Sequence, residues 1–404
     1  MKTLVRIYQF VFALISKLLI IPKPVLYDGE KSVSEFTGTL RREVNYLLVC
    51  DPYLYSSGKA GGVTGRLDNS GINYFVFTDF SSNPSVEEVE AGITEFTHHN
   101  CKGIIALGGG SAIDCAKGIA ARSACRRKSI IKMKGLFKVC GKTPYLAAIP
   151  TTSGTGSEAT VAAVISDREK HLKFAVNSFK LVPDAAVLDY SLTLSLPPDI
   201  TASTGMDALT HALEAFTNLY HTKETRALAL DAAKLIFENI YKAYKNGSDT
   251  EARRNMALAA FYAGRAFTHD YVGYIHAVAH SLGGLYGVPH GLANAVVLPV
   301  VMEAYGNKIH KKLAQVYDYC NFESSGNAAD TDNAYKAVSV IDRIRELNMK
   351  MGIPDSIKEI RKQDIPEIVS MILKESLPEY PVPVLFNRKE LSGIINKIMP
   401  EEIQ

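Results

Sequence analysis

The sequence predicts two units in series: an α/β unit built on a mainly parallel sheet, then an all-helical unit. Two observations carry this. Between about residues 24 and 190, short apolar runs alternate with helical stretches. Beyond about residue 190 the strand-like runs stop and apolar residues recur at helical spacing. Leu181-Val-Pro-Asp184 and Pro197-Pro198 mark the change of style. The reading is therefore a hydrophobic extension over 1–23, an α/β unit over 24–190 and a helical unit over 191–404.

In the first unit, Val44 to Cys50 reads as a buried strand ended by Asp51-Pro52. Tyr74 to Phe77 is a second strand, and Asn83-Pro84 precedes a helix over Val86 to His98. Gly103 to Leu107 is a third, stopping at Gly108-Gly109-Gly110-Ser111, with a helix from near Ala112. Tyr145 to Ile149 is a fourth, stopping at Pro150-Thr151-Thr152. Apolar strands separated by helices argue a parallel sheet covered on both faces. In the second unit the spacing predicts helices over Met206–Leu219, Thr225–Tyr244, Glu251–Thr268, Ile275–Tyr286, Ala293–Tyr305 and Asp332–Met351.

Composition excludes several classes. At 404 residues and 47% hydrophobic, the chain can bury a large core. A net charge of +3 is too small for nucleic-acid binding, and the basic cluster from Arg122 to Lys134 reads as solvated surface because no stacking aromatics are interleaved. Cys50, Cys101, Cys115, Cys125, Cys140 and Cys320 form no CxxC pair and fall largely in apolar runs, so free thiols in a reducing, cytoplasmic setting are expected. Val5 to Ile21 behind Lys2 and Arg6 has the shape of a signal peptide. No small-residue cleavage site follows, and Gln9, Ser16 and Lys17 interrupt it. It reads as an amphipathic helix lying on the fold, on a partner subunit or on a membrane surface.

Ligands in a parallel sheet collect beyond the carboxyl ends of its strands. The Gly108–Ser111 loop sits at such an end, where glycines admit a pyrophosphate and a helix N-terminus offers N–H groups. It is not GxGxxG, and alone it suits a tight turn as well. Thr151 to Glu158 follows the next strand with five hydroxyls and two glycines, a composition suited to phosphate and ribose oxygens. Asp51 ends an early strand, where an acid can hold a ribose diol and repel a 2′-phosphate, favouring NAD over NADP; a helix cap is the plain alternative.

The helical unit carries the other signal. Asp207 and His211 are i and i+4, as are His276 and His280, and His290 follows after a Gly-rich stretch. One carboxylate and four imidazoles suffice for a mononuclear divalent metal, with one side chain to spare as an acid/base. Nitrogen and oxygen donors without thiolate suit Fe(II) or Zn(II).

Four ordered blocks now carry a resemblance: Gly108–Asp114, Pro150–Glu158, Gly205–Glu214, and His276 through His290-Gly291. The chain resembles the iron-containing (group III) alcohol dehydrogenase family from about residue 25 to near its end. The resemblance implies a dehydroquinate synthase-like fold, with a dinucleotide-binding α/β domain and a helical metal-binding domain. It implies a homodimeric enzyme that passes a hydride between a primary alcohol or aldehyde and NAD(P). It implies metal ligation by Asp207, His211, His276 and His290, with His280 as the catalytic proton relay. Cofactor contacts are implied at Asp51, Asn83, Gly109, Gly110, Ser111, Asp114, Thr151, Thr152, Thr155 and Lys173. A dehydroquinate-synthase-like lyase and a glycerol-type polyol dehydrogenase are the competing enzymatic readings. A membrane-surface binding protein built around the first helix is the non-enzymatic one. Two departures stand out: the hydrophobic extension, and Phe386-Asn387-Arg388 where many members have Asn-Pro-Arg.

Overall fold

A computed structural model describes residues 2–18, 21–169, 172–322 and 332–400 of the chain. It divides into a sheet unit, 21–196, and a helical unit, 197–404 joined by 1–20. The first helix, α1 (Lys2–Leu18), thus belongs with the helical unit rather than standing apart.

The strands of the sheet unit are β1 (Val25–Asp28), β2 (Asn45–Cys50), β3 (Asn73–Phe77), β4 (Gly103–Gly108), β5 (Gly135–Leu136), β6 (Tyr145–Pro150), β7 (Ala162–Asp167), β8 (Leu172–Asn177) and β9 (Ala185–Leu188). Its helices are α2 (Ser32–Thr37), α3 (Pro52–Ser56), α4 (Gly61–Asn69), α5 (Val86–His98) and α6 (Gly110–Ala124). Six strands form one parallel sheet in the order β1-β9-β6-β4-β2-β3.

Alternation along each strand feeds two cores. Leu47, Val49, Ile104, Ala106, Leu146 and Ala148 pack with α5 and α6. Tyr46, Leu48, Cys50, Ile105, Leu107, Ala147 and Ile149 pack on the other face, with residues of α2 and α4. Burial on both faces explains why these strands read as continuous apolar runs.

The chain order reverses between β2 and β4. From β2 it moves outward to β3, then returns to β4 on the other side and continues to β6 and β9. Such a switch point leaves a crevice at the strands' carboxyl ends. Register places Cys50 beside Leu107 and Gly108 beside Pro150, so Asp51, Gly109 and Thr151 emerge along one edge.

Several strands escaped the sequence reading. β1 and β9 are four residues each and pair with one another. β7 and β8 form an antiparallel hairpin, with β5 alongside, in a separate small sheet. β1 and β9 carry too few residues to show a period, whereas β7 and β8 are as long as β2 and owe their order to pairing with each other.

The cysteines also differ from expectation. Cys125, at the end of α6, and Cys140 are joined as a disulfide with Cα atoms 5.5 Å apart. The loop that folds Cys140 back to Cys125 leaves no spacing signature. Cys50, Cys101, Cys115 and Cys320 are free and buried.

The helical unit comprises α1 with α7 (Pro198–Thr217), α8 (Lys223–Lys245), α9 (Thr250–Asp270), α10 (Tyr274–Tyr286), α11 (His290–Tyr305), α12 (His310–Tyr319), α13 (Asn333–Lys350), α14 (Ile365–Ser376) and α15 (Arg388–Lys397). One large core runs through it, with α7 fully enclosed along most of its length. At Gly205 a Cβ would come within 2.7 Å of Ile240 and 2.9 Å of Met256, so the glycine sets how closely α7 meets its neighbours. Asn387, in the divergent C-terminal motif, caps α15 in a capping box with Glu390.

Candidate active site

Three helices bring the predicted ligands together. Heptad-like spacing puts Asp207, His211 and Glu214 on one side of α7. α10 carries His276 and His280, and it ends at Gly287 in the left-handed conformation (φ 70°). That turn lets the chain reverse, so that His290 opens α11. Gly291 then lies directly against the Ser203 carbonyl of α7, where any side chain would collide.

Asp207 Oδ1 is the hub. It lies 3.4 Å from His290 Nε2, 3.7 Å from His276 Nε2 and 4.0 Å from His211 Nδ1. The Asn294 amide donates to Asp207 Oδ1 at 2.7 Å and sits 3.1 Å from His290 Nε2, so both acceptors aim at one point. The donor atoms of Asp207, His276 and His290 all fall within 4.8 Å of one another. His211 stands just outside that cluster, its ring stacked between His276 (4.4 Å) and Phe267 (4.2 Å).

His276 Nε2 and His211 Nδ1 are buried without a hydrogen-bond partner. Buried polar atoms are rarely left so. Two orphaned nitrogens beside a buried carboxylate fit a divalent cation that would satisfy them. The buried charges also shift one another. Burial pushes the Asp207 carboxyl up, but the imidazoles of His211, His290 and His276 outweigh it and hold the group well below the usual carboxylate range. Burial pulls His211 down to about 3, against the attraction of Asp207. Burial also opposes a charge on His276, yet the carboxylates of Asp207 and Glu214 raise it to about 9.

Three partners of these side chains lay beyond the sequence reading. Glu214 is buried; its Oε2 accepts from His276 Nδ1 at 2.6 Å and from Gly273 N at 2.8 Å, while Oε1 accepts from Ile275 N at 2.8 Å. It therefore caps α10 and fixes the His276 ring at once. Asn294 is the second. The third is Glu375 of α14, whose Oε1 pairs with His280 Nδ1 at 2.7 Å and accepts from Tyr380 Oη at 2.8 Å. The His280 ring stacks 5.1 Å from that of His290 and is partly exposed. Glu214 closes the Gly205–Glu214 block; Asn294 and Glu375 carry no signal of their own.

The sheet unit assembles a second group of residues. Asp51 N donates to Leu107 O and Thr151 N to Gly108 O, which extends the ladder just past β2 and β6. Gly108 has φ 152°, and a Cβ there would press on Ala112 and Asp51. A Cβ at Gly110 would come 2.8 Å from Thr155 Cγ2, so the Gly109–Gly110 start of α6 and the Thr151–Thr155 loop lie in contact. Thr152 faces Gly109 in the same way. Ser111 Oγ donates to the Ser82 carbonyl, and Lys173 Nζ donates to Asn83 Oδ1 at 2.6 Å.

Two of these residues are held by the fold itself. Asp51 Oδ1 caps α3, accepting from Tyr53 N and Leu54 N. Asp114 accepts from Ser157 Oγ at 2.8 Å and Val164 N at 3.2 Å, so it braces the hydroxyl-rich loop. Next to it, Lys117 is fully buried and donates to Ser157 Oγ, Thr160 O, Thr160 Oγ1 and Ala162 O.

Known proteins share both halves. The model for the iron-containing alcohol dehydrogenases matches residues 24–190, and that for the C-terminal part of the Fe-containing alcohol dehydrogenase family matches 201–399. Alcohol dehydrogenase 4 of Saccharomyces cerevisiae (strain YJM789) is 35% identical over 379 residues, 93% of this chain and 96% of that protein. The crystal structure of a 1,3-propanediol oxidoreductase superposes with a TM-score of 0.87 at 31% identity, covering 94% of this chain and 100% of the other. Sulfoacetaldehyde reductase from Bifidobacterium kashiwanohense, solved in complex with NAD+, gives 0.83 at 28% identity over 94% of this chain and 98% of its own. With both halves matched and the imidazoles gathered around Asp207, the chain belongs to the iron-containing alcohol dehydrogenase family.

Proposed function

We propose that the chain interconverts primary alcohols and aldehydes, with a divalent iron held by Asp207, His211, His276 and His290 and a nicotinamide cofactor held by the sheet unit. The observation that carries the metal half is the pair of orphaned, buried nitrogens, His211 Nδ1 and His276 Nε2, beside Asp207. Zinc fits the same donors. Iron bound there supplies a Lewis acid for the substrate oxygen, and the nicotinamide supplies the hydride acceptor or donor.

The chain's own residues orient these partners and move the proton. Glu214 and Asn294 fix the directions of His276, His290 and Asp207. Glu375 accepts from Nδ1–H of His280, which leaves Nε2 as the basic atom. His280 takes the hydroxyl proton at Nε2 during oxidation and returns it during reduction. Its partial exposure gives that proton a way to water.

For the cofactor, Gly109, Gly110 and Ser111 at the head of α6 receive the pyrophosphate, with the hydroxyls of Thr151, Thr152 and Thr155 around it. Asp114 braces that loop. Asn83 and Lys173 form a linked pair for the nicotinamide end, and Asp51 at the switch point favours NAD over NADP. A homodimer is supported by β1, an edge strand with Val25 and Leu26 exposed. Four buried free thiols support a cytoplasmic setting, and the Cys125–Cys140 disulfide argues against it.

Anaerobically purified protein should carry about one iron per chain and turn over short primary alcohols with NAD. His276→Ala should lose metal and turnover together. His280→Ala should keep its metal and lose about 100-fold or more in kcat. An iron-free His276→Ala protein with native turnover would sink the reading.

A further inference from the structure

Cysteine usage in this chain is split. Cys50, Cys101, Cys115 and Cys320 are free and buried, whereas Cys125 and Cys140 are joined. A compartment that keeps thiols reduced holds disulfides chiefly as transient or sensing bonds. The packing around the pair lets such a bond open and re-form in place. The loop between the two cysteines is pinned by contacts that owe nothing to sulfur. Ile130, Met133 and Val139 are buried in the same core as α6. Phe137 N donates to Asn177 O at 2.8 Å, and Lys128 Nζ donates to Lys138 O at 2.9 Å. Lys180 Nζ donates to Gly141 O at 2.8 Å. Gly141 has φ 64°, and a Cβ there would come within 2.5 Å of Ala124 O, so the returning chain lies directly on the end of α6. With the Cα atoms held 5.5 Å apart, the two sulfurs meet without backbone movement.

The two sulfurs differ in access. Cys125 is 3% exposed, while Cys140 is an exposed residue. Exposed cations flank both: Arg126 and Arg127 follow Cys125, and Lys138 and Lys142 stand two residues either side of Cys140. Asp184 offsets part of the Lys142 charge. Positive surroundings favour the thiolate, which is the reacting form, and attract an anionic thiol. We propose that Cys125 and Cys140 are a reversible thiol–disulfide pair that exchanges with a small anionic thiol such as glutathione, Cys140 being the sulfur attacked from outside and Cys125 the one that resolves. On oxidation the Cys140 thiolate attacks one sulfur of glutathione disulfide, breaking that S–S bond and releasing one glutathione thiolate. The Cys125 thiolate then attacks Cys140 Sγ and releases the second glutathione. Two electrons pass from the pair to glutathione disulfide, and the two cysteine protons end on the two glutathiones. Reduction runs the same steps backwards. None of this depends on the metal or cofactor assignment.

The test equilibrates the full-length enzyme anaerobically in buffers running from reduced to largely oxidised glutathione. Free thiols are then trapped by alkylation and assigned by peptide mass. The Cys125–Cys140 bond should pass from open to closed across the series, while Cys50, Cys101, Cys115 and Cys320 take up no glutathione. Cys125→Ser should collect one glutathione on Cys140. Cys140→Ser should collect at least about tenfold less on Cys125, because that sulfur is buried. A pair that stays closed in reduced glutathione would overturn the proposal and make the bond a permanent staple. So would a pair that stays open in the most oxidised buffer, or equal adduct on the two variants. The wild-type titration decides the matter alone if either variant fails to fold.

Discussion

Replacing Glu214 with glutamine isolates how the helical unit holds its imidazoles. Both carboxylate oxygens are acceptors: Oε2 for His276 Nδ1–H and Gly273 N–H, Oε1 for Ile275 N–H. Glutamine has the same shape but one oxygen. However the amide turns, its NH2 meets at least one N–H donor. In the better orientation the oxygen still serves His276 and Gly273, and the NH2 confronts Ile275 N–H. A buried donor left without an acceptor costs about 1–3 kcal/mol. Removing the charge behind a metal-binding histidine costs about 10–100-fold in metal affinity. Glu214→Gln should therefore lower the unfolding free energy of the protein by about 2 kcal/mol in urea titration. It should also lose iron to a chelator at least about tenfold more readily, with unchanged helix content. Wild-type stability together with wild-type iron retention would refute the reasoning, since the buried Ile275 N–H cannot lose its acceptor, nor His276 the charge behind it, without a trace.

Two further outcomes follow from the sheet unit. Gly110→Ala would drive a Cβ to 2.8 Å from Thr155 Cγ2, and relieving that contact costs about 1–3 kcal/mol in packing. We expect NAD affinity, measured by fluorescence titration, to fall at least about tenfold; unchanged affinity would place the cofactor elsewhere. Glu158 tests pH dependence. Burial pushes its carboxyl up to about 7, with Lys117 opposing, so the folded state holds this proton more tightly than the unfolded chain does. The associated stability is complete below about pH 4.5 and drains away as pH rises towards 7, a difference on the order of 3 kcal/mol. Lys117, pulled down to about 8 by burial, changes state above that window. Glu158→Gln should flatten the stability profile between pH 5 and about 7, and an identical slope in the variant would contradict it.

The legible parts of the site were local. His276 and His280 lie four residues apart on one helix, as do Asp207 and His211, so spacing alone puts each pair on one face. The edge formed by Asp51, Gly109 and Thr151 was also readable, because each follows an apolar run that stops abruptly. The partners were not readable. Glu214 meets His276 across 62 residues, Asn294 meets Asp207 across 87, and Glu375 meets His280 across 95. A lone Glu or Asn on a helix carries no periodic signal that says whom it will face. The β7–β8 hairpin was hidden for a similar reason: its stability comes from pairing across the turn, which a single run of residues does not display.

The order of apolar runs and breaks was enough to mark β2, β3, β4, β6 and the longer helices, since backbone periodicity and strand or helix ends are written in neighbouring residues. It also named the side chains proposed to hold a metal and a nucleotide. Convergence was decided only by the tertiary structure: Asp207 as the hub, His211 just outside the tight cluster, Asp114 and Asp51 held by the fold itself, Cys125 joined to Cys140, and α1 pinned through Arg6 and Gln9 to the segment from Tyr380 to Pro383. Those outcomes depend on distances between parts of the chain far apart in sequence, and burial and hydrogen bonding set those distances only once the whole core has packed.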